Sequence, residues 1–174
     1  PPRVVLDAMG GDAGVLSVVQ GASRITTSKS PFPIALVGST GEIQAALSKT
    51  SYSEEWIEIV PSSGAIPMHA KPREAMERQP DCSICVAADL VSRGEGAALV
   101  SAGHTGATIL AASQRFTLLE GIRRTALAAV YPTRLPHGPR GDPFALMLDV
   151  GATLEARATD LIGFAALGAA YARV

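Results

Sequence analysis

The sequence has no long hydrophobic run and no excess of charge of either sign. Its longest nearly apolar stretch is 161–172, whereas a helix that spans a bilayer needs roughly 20 residues. Lysine and arginine total 15, aspartate and glutamate total 16, and the formal net charge is -1. This balance creates no field that would favour nucleic acid or an anionic membrane. We therefore expect a soluble protein with no membrane span and no nucleic-acid partner.

Cysteine is also scarce, since Cys82 and Cys85 are the only two. Two cysteines do not make a disulfide framework, which fits a reducing compartment. Their Cys-x-x-Cys spacing also occurs in redox and zinc sites, but a zinc ion would need His69 or His137 to converge on them. We expect small buried residues here and no metal.

No secretory leader is recognisable at the start of the sequence, which begins at Pro1 without methionine. We expect a cytoplasmic protein, with peripheral association with a membrane as one alternative. An organelle interior is the expectation if the N-terminus was processed.

Short apolar runs alternate with helical patterns along the whole chain. Large aliphatic residues at 4–6 predict a strand that is covered on both faces, as in a parallel sheet. The predicted strands are 3–7, 33–37, 56–60, 97–100, 125–130 and 144–148. Residues 132–143, rich in proline, glycine and arginine, are predicted to form a loop. The alternation predicts one α/β domain over residues 1–174 with a mostly parallel, doubly wound sheet.

Apolar residues at helical spacing mark the segments between the predicted strands. Thr40 is predicted to cap the second helix. The inward stripe of the last helix is predicted to be Leu161, Phe164, Ala165 and Gly168. That helix is apolar almost all round, so we expect a second chain to cover part of it, with Leu167 in the contact.

Three predicted strands end in a small or acidic residue that glycine soon follows. The sets are Asp7 with Gly10, Gly11 and Asp12; Ser101 with Gly103 and Gly106; and Asp149 with Gly151. Because the carboxyl ends of parallel strands form the ligand crevice, the three turns should line one cleft. Ser101 and Thr105 add hydroxyls beside a helix start, which predicts an anion site. A G-x-G-x-x-G fingerprint is missing after the first strand, so we expect neither NAD nor another cofactor.

Four runs of residues resemble one known family in their order and separation. They are LDAMGGD at 6–12, KP at 71–72, VSAG at 100–103 with TGA at 105–107, and LDVGA at 148–152. Residues 126–133 and 164–173 also look like this family, the bacterial acyl-acyl carrier protein:phosphate acyltransferases of phospholipid synthesis. The resemblance covers the whole chain and corresponds to the N-terminal half of family members.

The resemblance implies transfer of a fatty acyl group from acyl carrier protein to inorganic phosphate, which gives acyl phosphate. It also implies a homodimer and a three-layer αβα sandwich akin to phosphotransacetylases and isopropylmalate dehydrogenases. Phosphate is itself a nucleophile, so this chemistry needs phosphate held against the thioester carbonyl and donors for the oxyanion.

The site residues expected from the motifs fall into two groups. Those expected to contribute to catalysis are His104, Thr105, Ser101 and Lys71. Those expected to bind substrate are Asp7, Gly10, Gly11, Asp12, Gly103, Gly106, Asp149, Gly151, Arg73 and Ser83.

Several positions depart from the family's pattern. The chain has His104 and Thr153 where the family has asparagine, His69-Ala70 for an acidic pair, Cys82-Ser83 for Ser-Ser, and Val15 for proline. Two hypotheses stay open at this point. The chain is an active acyltransferase, or it is a non-catalytic relative that serves as a structural subunit of a larger assembly. We expect the isolated chain to bind phosphate weakly.

Overall fold

The computed structural model describes residues 3–137, 141–153 and 155–173. The chain divides into two compact units, Pro1–Phe116 and Thr117–Val174. The strands of the first unit are β1 (Val4–Asp7), β2 (Ile34–Gly38), β3 (Ile57–Pro61) and β4 (Ala98–Val100). Its α-helices are α1 (Gly14–Thr26), α2 (Thr40–Leu47), α3 (Pro72–Arg78), α4 (Ser83–Ser92) and α5 (Thr105–Arg115).

The four strands of the first unit form one parallel sheet in the order β3-β2-β1-β4. In the register, Val4 of β1 lies opposite Ile34 of β2 on one side and Ala98 of β4 on the other. All four strands therefore end at the same edge of the sheet. Since β1 and β4 are neighbours, the segments that follow Asp7 and Val100 leave that edge side by side.

Strand β2 is buried along its whole length because helices cover both faces of the sheet. Ile34 and Leu36 pack in the cluster formed with α1 and α2, whereas Ala35 and Val37 pack with Leu90 of α4. The period of two along a strand places these pairs on opposite faces. The predicted α/β class, with a mostly parallel sheet flanked by helices, is confirmed.

The second unit contains β5 (Ala128–His137), β6 (Asp142–Leu148) and α6 (Ala158–Tyr171). The two strands are antiparallel, and Ala128 pairs with Leu148. Helix α6 approaches this ribbon closely at Gly168, where a Cβ would lie 2.7 Å from Cδ1 of Leu148.

The prediction that all six strands join one parallel sheet is wrong for the last two, which form a separate two-stranded sheet. The predicted loop 132–143 is largely strand instead, and the predicted strand at 125–130 begins only at Ala128. Residues 138–140 lie outside the described residues. Prolines are tolerated here because both strands of a two-stranded ribbon are edge strands, which need not donate every N–H to a partner.

Three smaller predictions are also corrected. Ser39 rather than Thr40 caps α2, since its Oγ accepts from the Glu42 backbone N–H at 3.5 Å. Trp56 ends a short 3-10 helix instead of starting a strand. Along α6, Phe164 is buried and Gly168 is half-buried, but Leu161 is 57% exposed and Ala165 is exposed. The single domain over residues 1–174 stays a prediction.

Candidate active site

The turns that follow β1 and β4 come together at the carboxyl edge of the sheet. We call residues 8–13 the first glycine turn and residues 101–107 the second glycine turn. A Cβ built on Gly10 would lie 2.7 Å from the backbone nitrogen of Gly103. A Cβ on Gly103 would lie 3.2 Å from Cα of Gly10. The two backbones thus pack at a distance that only glycine allows at position 10.

A hydrogen-bonded chain centred on Asp7 ties the two turns together. Ser101 donates its hydroxyl proton to Oδ2 of Asp7 at 2.7 Å, and the Met9 backbone N–H donates to Oδ1 at 3.2 Å. Ser101 Oγ in turn accepts from the Gly103 N–H at 3.1 Å. Asp7 is only 3% exposed. These bonds occupy both carboxylate oxygens of Asp7 and the hydroxyl proton of Ser101, so both residues shape the turn.

His104 caps helix α5 with its side chain. Its Nδ1 accepts from the backbone N–H groups of Gly106 at 3.1 Å and Ala107 at 3.4 Å. Its Nε2 lies 3.1 Å from the carbonyl oxygen of Ala70. A neutral ring with its proton on Nε2 satisfies all three contacts at once. Both ring nitrogens are therefore engaged with backbone groups, which is the arrangement of a structural cap and not of a free general acid.

The same contacts bring the start of α3 to the second glycine turn. His104 holds Ala70, and a Cβ on Gly106 would lie 3.0 Å from Cγ of Pro72. Lys71 and Arg73 flank Pro72 and are exposed. The Lys71 Nζ lies 3.1 Å from Glu74 Oε1, with the Lys71 side chain 80% exposed. The chain thus places two cations beside the turn without burying either of them.

The remaining predicted residues of the first unit differ in exposure. Gly11 has φ +108°, and a Cβ there would lie 3.3 Å from Cβ of Ala102. Asp12 and Thr105 are exposed. Ser83 is 1% exposed at the first position of α4, and its backbone N–H donates to Gly64 O at 2.7 Å. Within the described residues the Ser83 hydroxyl has no hydrogen-bond partner.

Asp149 and Gly151 form a tight turn in the second unit. Asp149 follows β6 with φ 61°, and Gly151 has φ 99°. The Asp149 carboxylate accepts from the Thr153 N–H at 3.1 Å, and its backbone N–H donates to Leu127 O at 2.7 Å. A left-handed aspartate is uncommon and marks a turn whose surroundings fix its conformation. That this turn shares a cleft with Gly10 and Gly103 stays a prediction.

The backbone N–H groups of the two glycine turns are not equivalent. Those of Gly11 and Asp12 donate to no acceptor among the described residues, whereas those of Gly103, Gly106 and Ala107 are all occupied. Gly10 is buried and closes the turn at residues 8 and 9. Sequence reasoning missed the Ala70 carbonyl.

Two side chains indicated such backbone contacts in the sequence. Ser101 lies two residues before Gly103, and His104 lies two residues before Gly106. Short polar side chains often bond backbone groups at that spacing.

Two features are absent from the described residues, a group of metal ligands and a membrane-spanning helix. In the ranges that the structure describes, no three His, Cys, Asp or Glu side chains are grouped so as to hold a metal ion. Within the same ranges, no helix has both the length and the apolar character needed to cross a bilayer.

The parallel sheet with glycine turns at the carboxyl ends of neighbouring strands places the chain among the α/β proteins. In open sheets of that class, ligands generally bind at the carboxyl edge. Comparison with known proteins gives the family. The model of the family described as "Fatty acid synthesis protein" matches residues 2–174, so the chain belongs to that family. The predicted family resemblance is confirmed.

The curated relatives are named phosphate acyltransferase. The chain is 40% identical over 171 residues to that of Cyanothece sp., covering 98% of this chain and 48% of the relative. It is 40% identical over 172 residues to that of Nostoc punctiforme, with coverage of 98% and 48%. It is 39% identical over 171 residues to that of Geobacter sulfurreducens, with coverage of 98% and 47%. The chain spans about half the length of the curated relatives it matches.

Proposed function

We propose that this chain supplies the phosphate-binding turns of an acyltransferase. The enzyme would move a fatty acyl group from acyl carrier protein to inorganic phosphate and release acyl phosphate for phospholipid synthesis. The observation that carries the proposal is the packing of Gly10 against Gly103, in a chain 40% identical to a named phosphate acyltransferase. A three-layer, doubly wound fold of the phosphotransacetylase and isopropylmalate dehydrogenase kind is part of the same proposal.

In this reaction a phosphate oxygen attacks the carbonyl carbon of the thioester. Negative charge develops on the carbonyl oxygen, the carbon–sulfur bond breaks, and the thiol leaves on the carrier protein. Because phosphate is the nucleophile, no serine or cysteine of the protein has to attack. The protein contributes by positioning phosphate and by donating hydrogen bonds to the developing oxyanion.

We assign phosphate to the first glycine turn. Gly11 and Asp12 present backbone N–H groups that no acceptor in the described part of the chain occupies. Lys71 and Arg73 are exposed cations near the second turn and could neutralise charge. Thr105, exposed at the first position of α5, has the hydroxyl best suited to donate to the carbonyl oxygen.

The other expected residues then act through position. Asp7 orients Ser101, which in turn holds the Gly103 N–H. Glycine at 106 lets Pro72 approach, and His104 fixes the start of α5. We propose ligand-binding roles for Ser83, Asp149 and Gly151 as well.

A non-catalytic relative within a larger assembly is the second candidate function. The observation in its favour is His104, whose two ring nitrogens are both engaged with backbone groups.

An acyl-transfer assay separates the two functions. The purified chain is incubated with acyl-acyl carrier protein and inorganic phosphate, and acyl phosphate is trapped with hydroxylamine as the hydroxamate. Hydroxamate that requires chain, thioester and phosphate together supports the acyltransferase. A folded chain that forms none contradicts acyl transfer by this chain on its own. Gly21→Ala is the control variant for this assay and should behave as the unmodified chain does, because a Cβ at Gly21 has no atom within 4 Å.

We further propose a cytoplasmic protein that associates with a second chain, as a homo-oligomer or within a larger complex. Support comes from α6, on which Leu161 is 57% and Ile162 is 71% exposed. Leu167 is half-buried, so it is a poorer probe than the sequence suggested. Ile162→Glu should lower the mass measured by light scattering and leave the circular dichroism spectrum unchanged. A monomeric unmodified chain would contradict the association.

A further inference from the structure

The side chain of Met9 reaches from the first glycine turn to the end of β2. Its Sδ accepts from the Ser39 backbone N–H at 3.3 Å. A Cβ built on Gly38 would lie 2.7 Å from that sulfur and 2.8 Å from Cγ of Met9. The thioether therefore lies directly against the Gly38 backbone, in space that a larger residue at position 38 would occupy.

The backbone around Met9 is held at the same time. The Met9 N–H donates to Oδ1 of Asp7 at 3.2 Å, and the Ala8 N–H donates to the carbonyl oxygen of Val37 at 2.9 Å. The main chain thus stays attached to β2 where the turn leaves β1, and the Met9 side chain extends that attachment to the start of α2.

The part of the turn that presents free donors needs support from its flanks. The N–H groups of Gly11 and Asp12 have no acceptor in the ranges that the structure describes, so these groups do not hold their own residues in place. On the side of β4, Gly10 packs against Gly103. On the side of β2, the support comes from Met9. The free donors lie directly after these two contacts in the sequence.

A thioether suits this position for two reasons. It is a flexible, apolar group that can lie against the Gly38 backbone, and it is also a weak hydrogen-bond acceptor. Ser39 is the N-cap of α2, and its N–H takes the Met9 sulfur as acceptor. The sulfur is neutral, so this bond adds no negative charge to a turn that already contains Asp7.

We propose that Met9 is a positioning residue, which fixes the first glycine turn through the Ser39 N–H and Gly38 so that Gly11 and Asp12 can donate to phosphate. This inference rests on the proposed function, which assigns phosphate to that turn. Leucine has nearly the volume of methionine, so it would replace a side chain that only fills space. An effect of losing the sulfur therefore separates positioning from simple packing.

The first test uses the full chain without ligand and compares it with Met9→Leu by nuclear magnetic resonance. Hydrogen exchange of the Ser39 amide should become about fivefold faster, the factor that one ordinary hydrogen bond contributes to an equilibrium. The order parameters of the Gly11 and Asp12 amides should fall. Met68→Leu is the matched control and should change neither, because Met68 is 58% exposed and lies outside the turn. Unchanged exchange and order parameters in Met9→Leu would overturn the proposal.

A second variant disturbs the same contact and keeps the sulfur. In Gly38→Ala, the added Cβ overlaps Sδ and Cγ of Met9. The side chain of Met9 is flexible and can move aside, so the chain should fold with the sulfur displaced from the Ser39 N–H. The order parameters of Gly11 and Asp12 should fall here as well. A rigid turn in this variant would refute the role of the contact, whether or not Met9→Leu folds.

The last measurement is a titration of the folded proteins with inorganic phosphate, followed at the Gly11 and Asp12 amides. The Kd should be about fivefold higher in Met9→Leu and in Gly38→Ala, because a smaller fraction of each variant holds the turn ready to bind. Met68→Leu should bind as the unmodified chain does. Equal Kd values in all four proteins would overturn the positioning role. If the unmodified chain does not bind phosphate, the proposed function fails at this turn, whereas the exchange and relaxation data still decide whether Met9 fixes it.

Discussion

The first and second glycine turns follow neighbouring parallel strands and touch each other, yet they differ in whether their backbone N–H groups have an acceptor. In the second turn, Ser101 accepts from Gly103, and His104 accepts from Gly106 and Ala107. In the first turn, the N–H groups of Gly11 and Asp12 have no acceptor among the described residues. One turn is closed by its own side chains, and the other is open to a ligand.

The difference arises at the caps of the helices that the turns lead into. Ala13 caps α1 without a side-chain bond, because alanine has no acceptor. His104 caps α5 with a ring nitrogen. A helix start offers donors to an anion only if the protein's own side chains leave them free. The residue at the cap therefore decides which of two similar turns keeps free backbone donors, and the turn that keeps them is the phosphate site we propose.

The largest effect is expected where the turns touch. In Gly10→Val, the added Cβ meets the Gly103 nitrogen at 2.7 Å and Asp7 Oδ2 at 2.8 Å. Backbone cannot move aside as a side-chain end can, so the substitution should lower the free energy of unfolding by about 3 kcal/mol or more. Urea denaturation followed by circular dichroism measures this change.

Gly21→Ala is the control for that substitution. Gly21 lies within α1, and a Cβ there has nothing within 4 Å. Alanine should raise the free energy of unfolding by about 0.5–1 kcal/mol, because it loses less backbone entropy than glycine in a helix. Equal stability of Gly10→Val and the unmodified chain would show that the turns do not touch in solution.

The next largest effect concerns the bond that joins the turns. Asp7→Ala leaves the Ser101 hydroxyl and the Met9 N–H without their acceptor, and it should cost about 2 kcal/mol. Ser101→Ala should cost less, because Asp7 keeps its bond from Met9. A double-mutant cycle should give a coupling of about 1 kcal/mol between Asp7 and Ser101. Additive effects of the two substitutions would contradict the bond.

A smaller effect is expected at the cap of the closed turn. His104→Ala removes the acceptor for Gly106 and Ala107 and should cost about 1 kcal/mol of stability. His104→Asn should restore most of that loss, because an amide oxygen can also cap a helix. Thermal unfolding of the three proteins makes the comparison. If the asparagine variant is as unstable as the alanine variant, the His104 ring stabilises the chain in a way that an amide cap does not replace.

The sequence was sufficient to predict the parallel sheet and the meeting of Gly10 with Gly103. The fully apolar β2 requires helices on both faces, and glycine at the ends of neighbouring strands permits close packing. The antiparallel ribbon of β5 and β6 could not be predicted in this way. Proline and glycine indicate a break in regular structure, but they do not distinguish a loop from two edge strands.

The bonding partners of the site residues were harder to predict than the fold. Asp7 was expected to bind substrate, and Ser101 and His104 to contribute to catalysis; these roles stay predictions, and each side chain also bonds protein groups. Residue type shows what a side chain can bond but not which partner it has in the folded chain. Spacing indicates the local backbone contacts of Ser101 and His104, but not the bond between Ser101 and Asp7, which lie 94 residues apart.

The smallest effect is expected in a titration of the chain with inorganic phosphate followed by amide nuclear magnetic resonance. This experiment is also the most direct test of the difference between the two glycine turns. Shifts should concentrate on Gly11 and Asp12, and those of Gly106 and Ala107 should be small because His104 holds these N–H groups.

The affinity should be weaker than about 10 µM, roughly −7 kcal/mol, because the open turn presents donors without a buried cation beside them. In His104→Ala the freed N–H groups of the second turn should shift as well, which would make the two turns alike. Larger shifts at Gly106 than at Gly11 in the unmodified chain would reverse the assignment of the open turn. Tighter binding would show that this edge of the sheet holds more of the phosphate site than the free N–H groups supply.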